Sequence, residues 1–166
     1  WGNTAEMEFD GERLARRGIV VVTINYRLNV FGFLAHPDML DGNGDMNVGN
    51  LDQQFAIKWI KENIQAFGGD PERITIGGQS AGGGSVLTQM NCMENKGYIQ
   101  GAIIESGMFG LPFKMGFPAS TEEAMEWGKQ FLNLLGVSTL EEARKLPASY
   151  IRDKNDEFGK LWGTVN

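Results

Sequence analysis

The chain is poor in the residues that staple small secreted domains and build metal centres. It has a single cysteine, Cys92, and a single histidine, His36, in 166 residues. One cysteine excludes an internal disulfide and a cysteine-based zinc site within this chain. Cys92 reads as a small buried apolar residue near a helix end. Basic charge is scarce as well, with 15 Lys and Arg against 21 Asp and Glu, a formal net charge of −6. No basic run occurs, so a nucleic-acid partner is not expected, because its phosphates would be repelled. Long apolar runs are missing, and the longest strand-like one, Ile19 to Val22, falls far short of the ~20 residues of a membrane span. The chain opens on Trp1 with no leader pattern, so its start gives no cellular address and localisation is unknown.

What is present is ordinary globular material, 42% hydrophobic and 22% charged, patterned in alternating elements. A short helix is expected from Gly11 to Arg17. The β-branched run 19–24 reads as a strand buried on both faces. A long Asn, Gly and Asp-rich connection follows over 25–50, a length usually tied to function or to a larger fold. Leu51, Phe55, Ile60, Ile64 and Phe67 recur at helical spacing, and Gly68-Gly69-Asp70-Pro71 stops that helix. A second strand is expected at 73–77, a helix near 83–93 and a third strand at 101–105. Ser120 with Glu123, and Ser138 with Glu141, have capping-box spacing at two further helix starts. Ala124, Trp127, Phe131 and Leu134 share one face of the first, which Gly136 ends; Pro147 opens another. Strand, helix, strand, helix, strand argues for an α/β fold with a parallel sheet.

The sequence Gly78-Gln79-Ser80-Ala81-Gly82 stands between the second strand and its helix, the context that a G-x-S-x-G nucleophile elbow requires. A serine there must sit on a sharp turn with its hydroxyl clear of the sheet. Backbone crowds the positions two before and two after it, so glycine is expected at both, and Gly78 and Gly82 occupy them. The turn also sets Ser80 at a helix N-terminus, with the Ala81 N–H aimed where an oxyanion would form. Two rival loops fit poorly. A phosphate loop needs G-x-x-x-x-G-K-[ST], and no Lys follows. A dinucleotide fingerprint needs G-x-G-x-x-G; the glycine spacing is wrong, and Glu105 is only a positional match for its acid.

The sixteen residues from Phe67 to Gly82 resemble the active-site signature of the type-B carboxylesterases, the cholinesterase-like α/β-hydrolases. The segments 20–28 with 32–34, 49–60 and 102–107 are similar to flanking parts of that family. The resemblance implies an α/β-hydrolase fold with parallel strands near 19–24, 73–77 and 101–105. It implies carboxylic ester hydrolysis through an acyl-enzyme on Ser80, with small-molecule esters as partners and neither metal nor organic cofactor. Ser106 would match a buried serine behind the site. One departure is Gln79, where the family usually has Glu; a neutral amide there favours neutral aryl or alkyl esters over cationic ones.

The family's triad runs Ser, acid, His in chain order. His36 lies upstream of Ser80 and aligns with a loop position, so it reads as structural. The chain is therefore expected to be a partial hydrolase domain over 1–166. Its Gly-rich oxyanion loop would lie before Trp1, and its acid and base beyond Asn166. A sheet lacking its neighbouring strand would have a gap or open edges, so the isolated chain is expected to re-pair, to exchange strands with another copy or to be poorly soluble. Two other outcomes stay open: a non-catalytic adhesion protein on the same fold, or a truncated remnant. Residues 41–47 with Asp52 echo a calcium loop but lack its Gly and Glu, and read as a turn cluster. Met108, Phe109, Phe113, Met115 and Phe117 suit either an acyl or alcohol pocket or packing under a loop.

Overall fold

The structure is a computed structural model and describes residues 3–40, 45–107 and 120–163. In chain order it holds helices α1 (Glu12–Ala15), α2 (Asn29–Phe33) and α3 (Val48–Asn63), strand β1 (Thr75–Gln79) and helix α4 (Ala81–Asn91). Strand β2 (Gly101–Glu105) and helices α5 (Thr121–Leu135), α6 (Leu140–Ala143) and α7 (Ala148–Gly163) complete it. The chain divides into two compact units, residues 1–27 with 49–112, and residues 28–48 with 113–166.

The first unit is built on a β1–α4–β2 arrangement. The strands pair in parallel, Thr75 opposite Gly101 through to Gln79 opposite Glu105, and α4 packs on both. The sheet's two faces can be told apart from its glycines. A Cβ on Gly78 would run into the backbone of Gly82 in α4, so Gly78 faces that helix. A Cβ on Gly77 would lie 3.7 Å from the Ile103 Cβ, and one on Gly101 2.8 Å from Thr75 Oγ1. Side chains alternate along a strand, so Thr75, Gln79, Ile103 and Glu105 share the face away from α4.

Helix α3 joins this unit through buried amides rather than through apolar contact alone. Gln89 Nε2 donates to the Asn50 carbonyl at 2.9 Å and to Gln53 Oε1 at 3.2 Å. Gln53 Nε2 donates to Ser85 Oγ at 3.0 Å, and Asn95 Nδ2 to Gln89 Oε1 at 2.8 Å. Gln53, Gln89 and Asn95 are all buried, and these bonds offset the cost of taking amides out of water. Gly68 ends the helical stretch in the left-handed region, φ +81°, its N–H returning to the Gln65 and Ile64 carbonyls. Asp70 then accepts from the Glu72 N–H and from Arg73 Nε, both at 2.9 Å, and turns the chain into β1. Those bonds, that from the Glu72 N–H first, hold the Asp70 carboxyl below its ordinary value.

Three expectations are corrected here. The run 19–24 forms no strand: it has no ladder partner among the described residues, and Ile19, Val20 and Val22 are exposed. β-Branched composition favours extended backbone, but a strand exists only where a neighbour accepts and donates its hydrogen bonds. The second strand lies at 75–79 rather than 73–77, because Arg73 is still tied to the Asp70 turn. In α3 the inward face carries Gln53 and Ile57, continued by Ile64 in the following turn, whereas Leu51, Phe55 and Phe67 are exposed. The polar Gln53 was invisible as a core position because its amide is satisfied only by Ser85 and Gln89.

The second unit has the larger apolar core. Phe131, Leu132, Leu135, Leu140 and Ala143 are buried, with Leu34, Leu146 and Ile151 packed against them. Phe131 and Phe158 meet edge to face with centroids 5.4 Å apart, a favoured aromatic geometry. Ser120 Oγ accepts from the Glu123 N–H at 3.2 Å, and Gly136 ends α5 at φ +79°. Pro147 directly precedes α7. The second capping box falls one residue later than expected, on Thr139 and Glu142. Either hydroxyl has a Glu three residues on; burial decides, since this register turns Leu140 and Ala143 into the core. Glu142 Oε2 accepts from both the Ser138 and Thr139 N–H groups, which hold its carboxyl below the ordinary value, the Ser138 bond first.

Candidate active site

Ser80 stands between the last residue of β1 and the first of α4. Its backbone adopts φ +53°, ψ −117°, a conformation that an L side chain with a Cβ adopts only under strain. An ordinary serine N-cap has extended backbone and its hydroxyl accepts an amide of the first turn. Ser80 makes no such cap bond. Its Oγ is left without a hydrogen bond among the described residues, and the side chain is exposed. The main chain fixes the turn instead. The Ser80 N–H donates to the Glu105 carbonyl at 2.8 Å, and the Ser80 carbonyl accepts from Gly84 at 3.0 Å. Ala81 is the first residue of α4, so its N–H has no intrahelical acceptor and points out of the helix start.

The glycines around the turn are not equivalent. Gly78 is required: a Cβ there would strike the C and O of Gly82 and come within 2.9 Å of its Cα. Gly82 itself has open space, with nothing within 4 Å of an added Cβ. The expectation that crowding demands glycine at both positions is thus corrected; Gly82 is the wall, and Gly78 is the residue pressed against it. A second close approach escaped the sequence reading. A Cβ on Gly83 would lie 2.8 Å from the Gly107 Cα, and one on Gly107 2.6 Å from the Gly84 N, so α4 rests backbone to backbone on the end of β2. The consecutive glycines 82–84 and the Ser-Gly after β2 were the available signal.

Gln79 and Ser106 were expected close behind the site, Ser106 buried. Both are exposed in this structure. Gln79 ends β1 and Ser106 follows the end of β2, where no further layer covers them among the described residues. Ser106 repeats the backbone φ of Ser80, +53°, one strand over. His36 belongs to the other unit. It is buried there, and its Nδ1 accepts the Asp38 N–H at 3.2 Å, which closes a turn at the start of a short helical segment. The Asp38 carboxylate in turn accepts the Leu140 N–H at 3.0 Å. Cys92, half-buried just past α4, donates to Glu94 Oε2 at 3.0 Å, and that bond raises its pKa. Among the described residues no group of three His, Cys, Asp or Glu could hold a metal ion, and no helix is long and apolar enough to cross a membrane. Asp52 is engaged by Arg27, while 41–44 and 108–117 lie outside the described residues.

A strained serine between a parallel strand and its helix is the mark of the α/β-hydrolase class. The comparisons agree. The chain belongs to the carboxylesterase family, whose model matches residues 1–160. It is 42% identical over 138 residues to the para-nitrobenzyl esterase of Bacillus subtilis (strain 168), covering 82% of this chain and 27% of that protein. It is 43% identical over 129 residues to the bile salt-activated lipase of Bos taurus, covering 77% and 20%. A solved Geobacillus stearothermophilus carboxylesterase superposes with a TM-score of 0.82 at 38% identity, over 96% of this chain and 33% of that one. The neighbours are esterases of the α/β-hydrolase fold, and this chain carries a two-stranded parallel sheet flanked by helices. The chain spans about a quarter of the length of the curated relatives it matches.

Proposed function

We propose that Ser80 is the nucleophile of a serine carboxylesterase that acts on neutral aryl or alkyl esters. The observation that carries the reading is the Ser80 backbone, strained at φ +53° with its hydroxyl withheld from capping α4. A strained conformation persists only where the surrounding structure enforces it, and such sites cluster at active centres. Ser80 Oγ attacks the ester carbonyl carbon; the alcohol leaves with a proton, and water releases the acid from the acyl-enzyme. The Ala81 N–H is one oxyanion donor, a contribution of roughly 3–4 kcal/mol to the barrier where such donors have been removed. The reaction needs a histidine to take up the serine proton and an acid to hold that histidine's tautomer. Gln79 is a neutral amide next to Ser80, so that position itself holds no charge to draw a cationic ester.

A fluorophosphonate probe on the full-length protein tests this. Labelling at Ser80, lost in Ser80→Ala, is the expected result; an intact fold that takes no label would refute the nucleophile. A non-catalytic adhesion role is disfavoured, because such a protein has no need to hold a serine in this conformation. The 166-residue chain by itself is expected to turn over little ester. It is also expected to self-associate, since among the described residues β1 and β2 each have an open edge and Ile103 and Ile104 are exposed. A monodisperse monomer on a sizing column would count against that association.

A further inference from the structure

Glu105 sits beside the candidate nucleophile, its charge unpaired among the described residues. It is the last residue of β2, and its carbonyl accepts the Ser80 N–H at 2.8 Å, which roots its side chain one strand spacing from Ser80, ~4.8 Å. Its register partner is Gln79. The two side chains share the sheet face away from α4, at the carboxyl edge where ligands bind in α/β sheets. Gln79 is neutral, so Glu105 holds the one carboxylate of the pair. It is exposed, and its carboxylate has neither an ion-pair nor a hydrogen-bond partner among the described residues.

We infer that Glu105 is a specificity-determining residue that disfavours esters carrying a negative charge, so that the site selects neutral over anionic substrates. This rests on Ser80 being the nucleophile. A carboxylate this close lies within the ~8 Å Debye length of any group bound at Ser80, so salt in the medium screens it only in part. Two like charges ~7 Å apart, at an effective dielectric of ~40 between water and a protein surface, disfavour binding roughly 7-fold. An uncharged ester is untouched by this effect. Gln79 fits the same account: a second carboxylate at its position would stand beside that of Glu105, and the two would repel.

The test compares p-nitrophenyl hemisuccinate with its methyl ester, which has nearly the same size without the charge. The readout is the ratio of their kcat/KM values on the full-length protein. Glu105→Gln should raise the anionic-to-neutral ratio about 5- to 10-fold, and Glu105→Asp should keep discrimination close to wild type. Raising salt from about 10 mM to about 500 mM should lift the ratio in the wild type and leave it flat in Glu105→Gln. The salt arm needs no variant, so poor folding of Glu105→Gln would not rescue the idea. A ratio that moves neither with salt nor with Glu105→Gln, in a protein whose hydrolysis is abolished by Ser80→Ala, overturns the role of Glu105 alone. Hydrolysis that survives Ser80→Ala overturns the nucleophile and this inference with it.

Discussion

Alanine at Gly78 and alanine at Gly82 should have opposite effects, although the two glycines flank Ser80 symmetrically in sequence. The methyl added at Gly78 meets the C and O of Gly82, with the Gly82 Cα at 2.9 Å. Carbon atoms in contact normally stand ~3.5–4.0 Å apart, so the elbow would have to open by roughly 1 Å. The atoms in the way are main chain in the first turn of α4 and have no rotamer to change. Overpacking that flexible side chains can absorb costs about 1–3 kcal/mol, and a rigid obstacle places Gly78→Ala at the top of that range, about 3 kcal/mol. Loss of glycine's freedom in the unfolded chain gives back about 0.4–1 kcal/mol, for a net destabilisation of about 2–3 kcal/mol. Gly82→Ala meets nothing within 4 Å and adds a better helix former to α4, a gain of up to about 1 kcal/mol. Equilibrium urea unfolding of both variants beside wild type measures the difference. With a slope of about 1–3 kcal/mol per molar, the Gly78→Ala midpoint should fall by about 1–2 M while that of Gly82→Ala holds or rises. Equal midpoints for the two variants would show that the close approach of Gly78 to Gly82 is not what the elbow depends on.

Three further outcomes are expected. Thr139→Ala should lower stability by about 1 kcal/mol and Ser138→Ala by a few tenths at most, since only the Thr139 hydroxyl caps α6; thermal melts of the pair decide whether the cap register is right. Gln89→Leu should cost roughly 2 kcal/mol by urea unfolding, because it strands Gln53 Oε1 and removes one of the two bonds of Asn95 Nδ2, whose other goes to the Gln89 main-chain carbonyl; a neutral result would mean that the amides relax onto water. Arg27 donates to Asp52 through Nε at 2.8 Å, Nη2 at 2.7 Å and the main chain at 2.9 Å, and the guanidinium hydrogen bonds are the first cause of the lowered Asp52 pKa. A lowered carboxyl pKa stabilises the fold above the unfolded value near ~3.9, and that stability is lost as pH falls through the folded value. Arg27 is more than half exposed, so the pair is worth about 1 kcal/mol or less; Asp52→Asn should remove this share at neutral pH and flatten its loss in acid, which unfolding curves between pH 7 and pH 3 would reveal.

Much of the site was legible because its signals are local. The conformation of Ser80 is demanded by the residues on either side of it. The glycine two places before it answers a clash within the same turn, and Ser120 and Gly136 bound their helix through bonds that span a few residues. Pairing was not legible in the same way. The run 19–24 has every side chain a strand prefers and still forms none, because a ladder needs a partner that composition does not name. Gln53 is polar, and only the closing of Ser85 and Gln89 around its amide makes it a core residue of α3. Glu105 was weighed only as the acid of a dinucleotide site that the glycine spacing already excluded.

The sequence by itself therefore determined that a strained serine would stand between a strand and a helix, in a carboxylesterase-like setting. Only the tertiary structure decided what stands next to that serine. The parallel register of β1 and β2 puts Glu105 beside Gln79, the Glu105 carbonyl holds the Ser80 amide, and Gly83 and Gly107 let α4 settle onto the end of β2. These are contacts between segments far apart in the chain, fixed by hydrogen-bond pairing and close packing rather than by the conformational preferences of any one stretch.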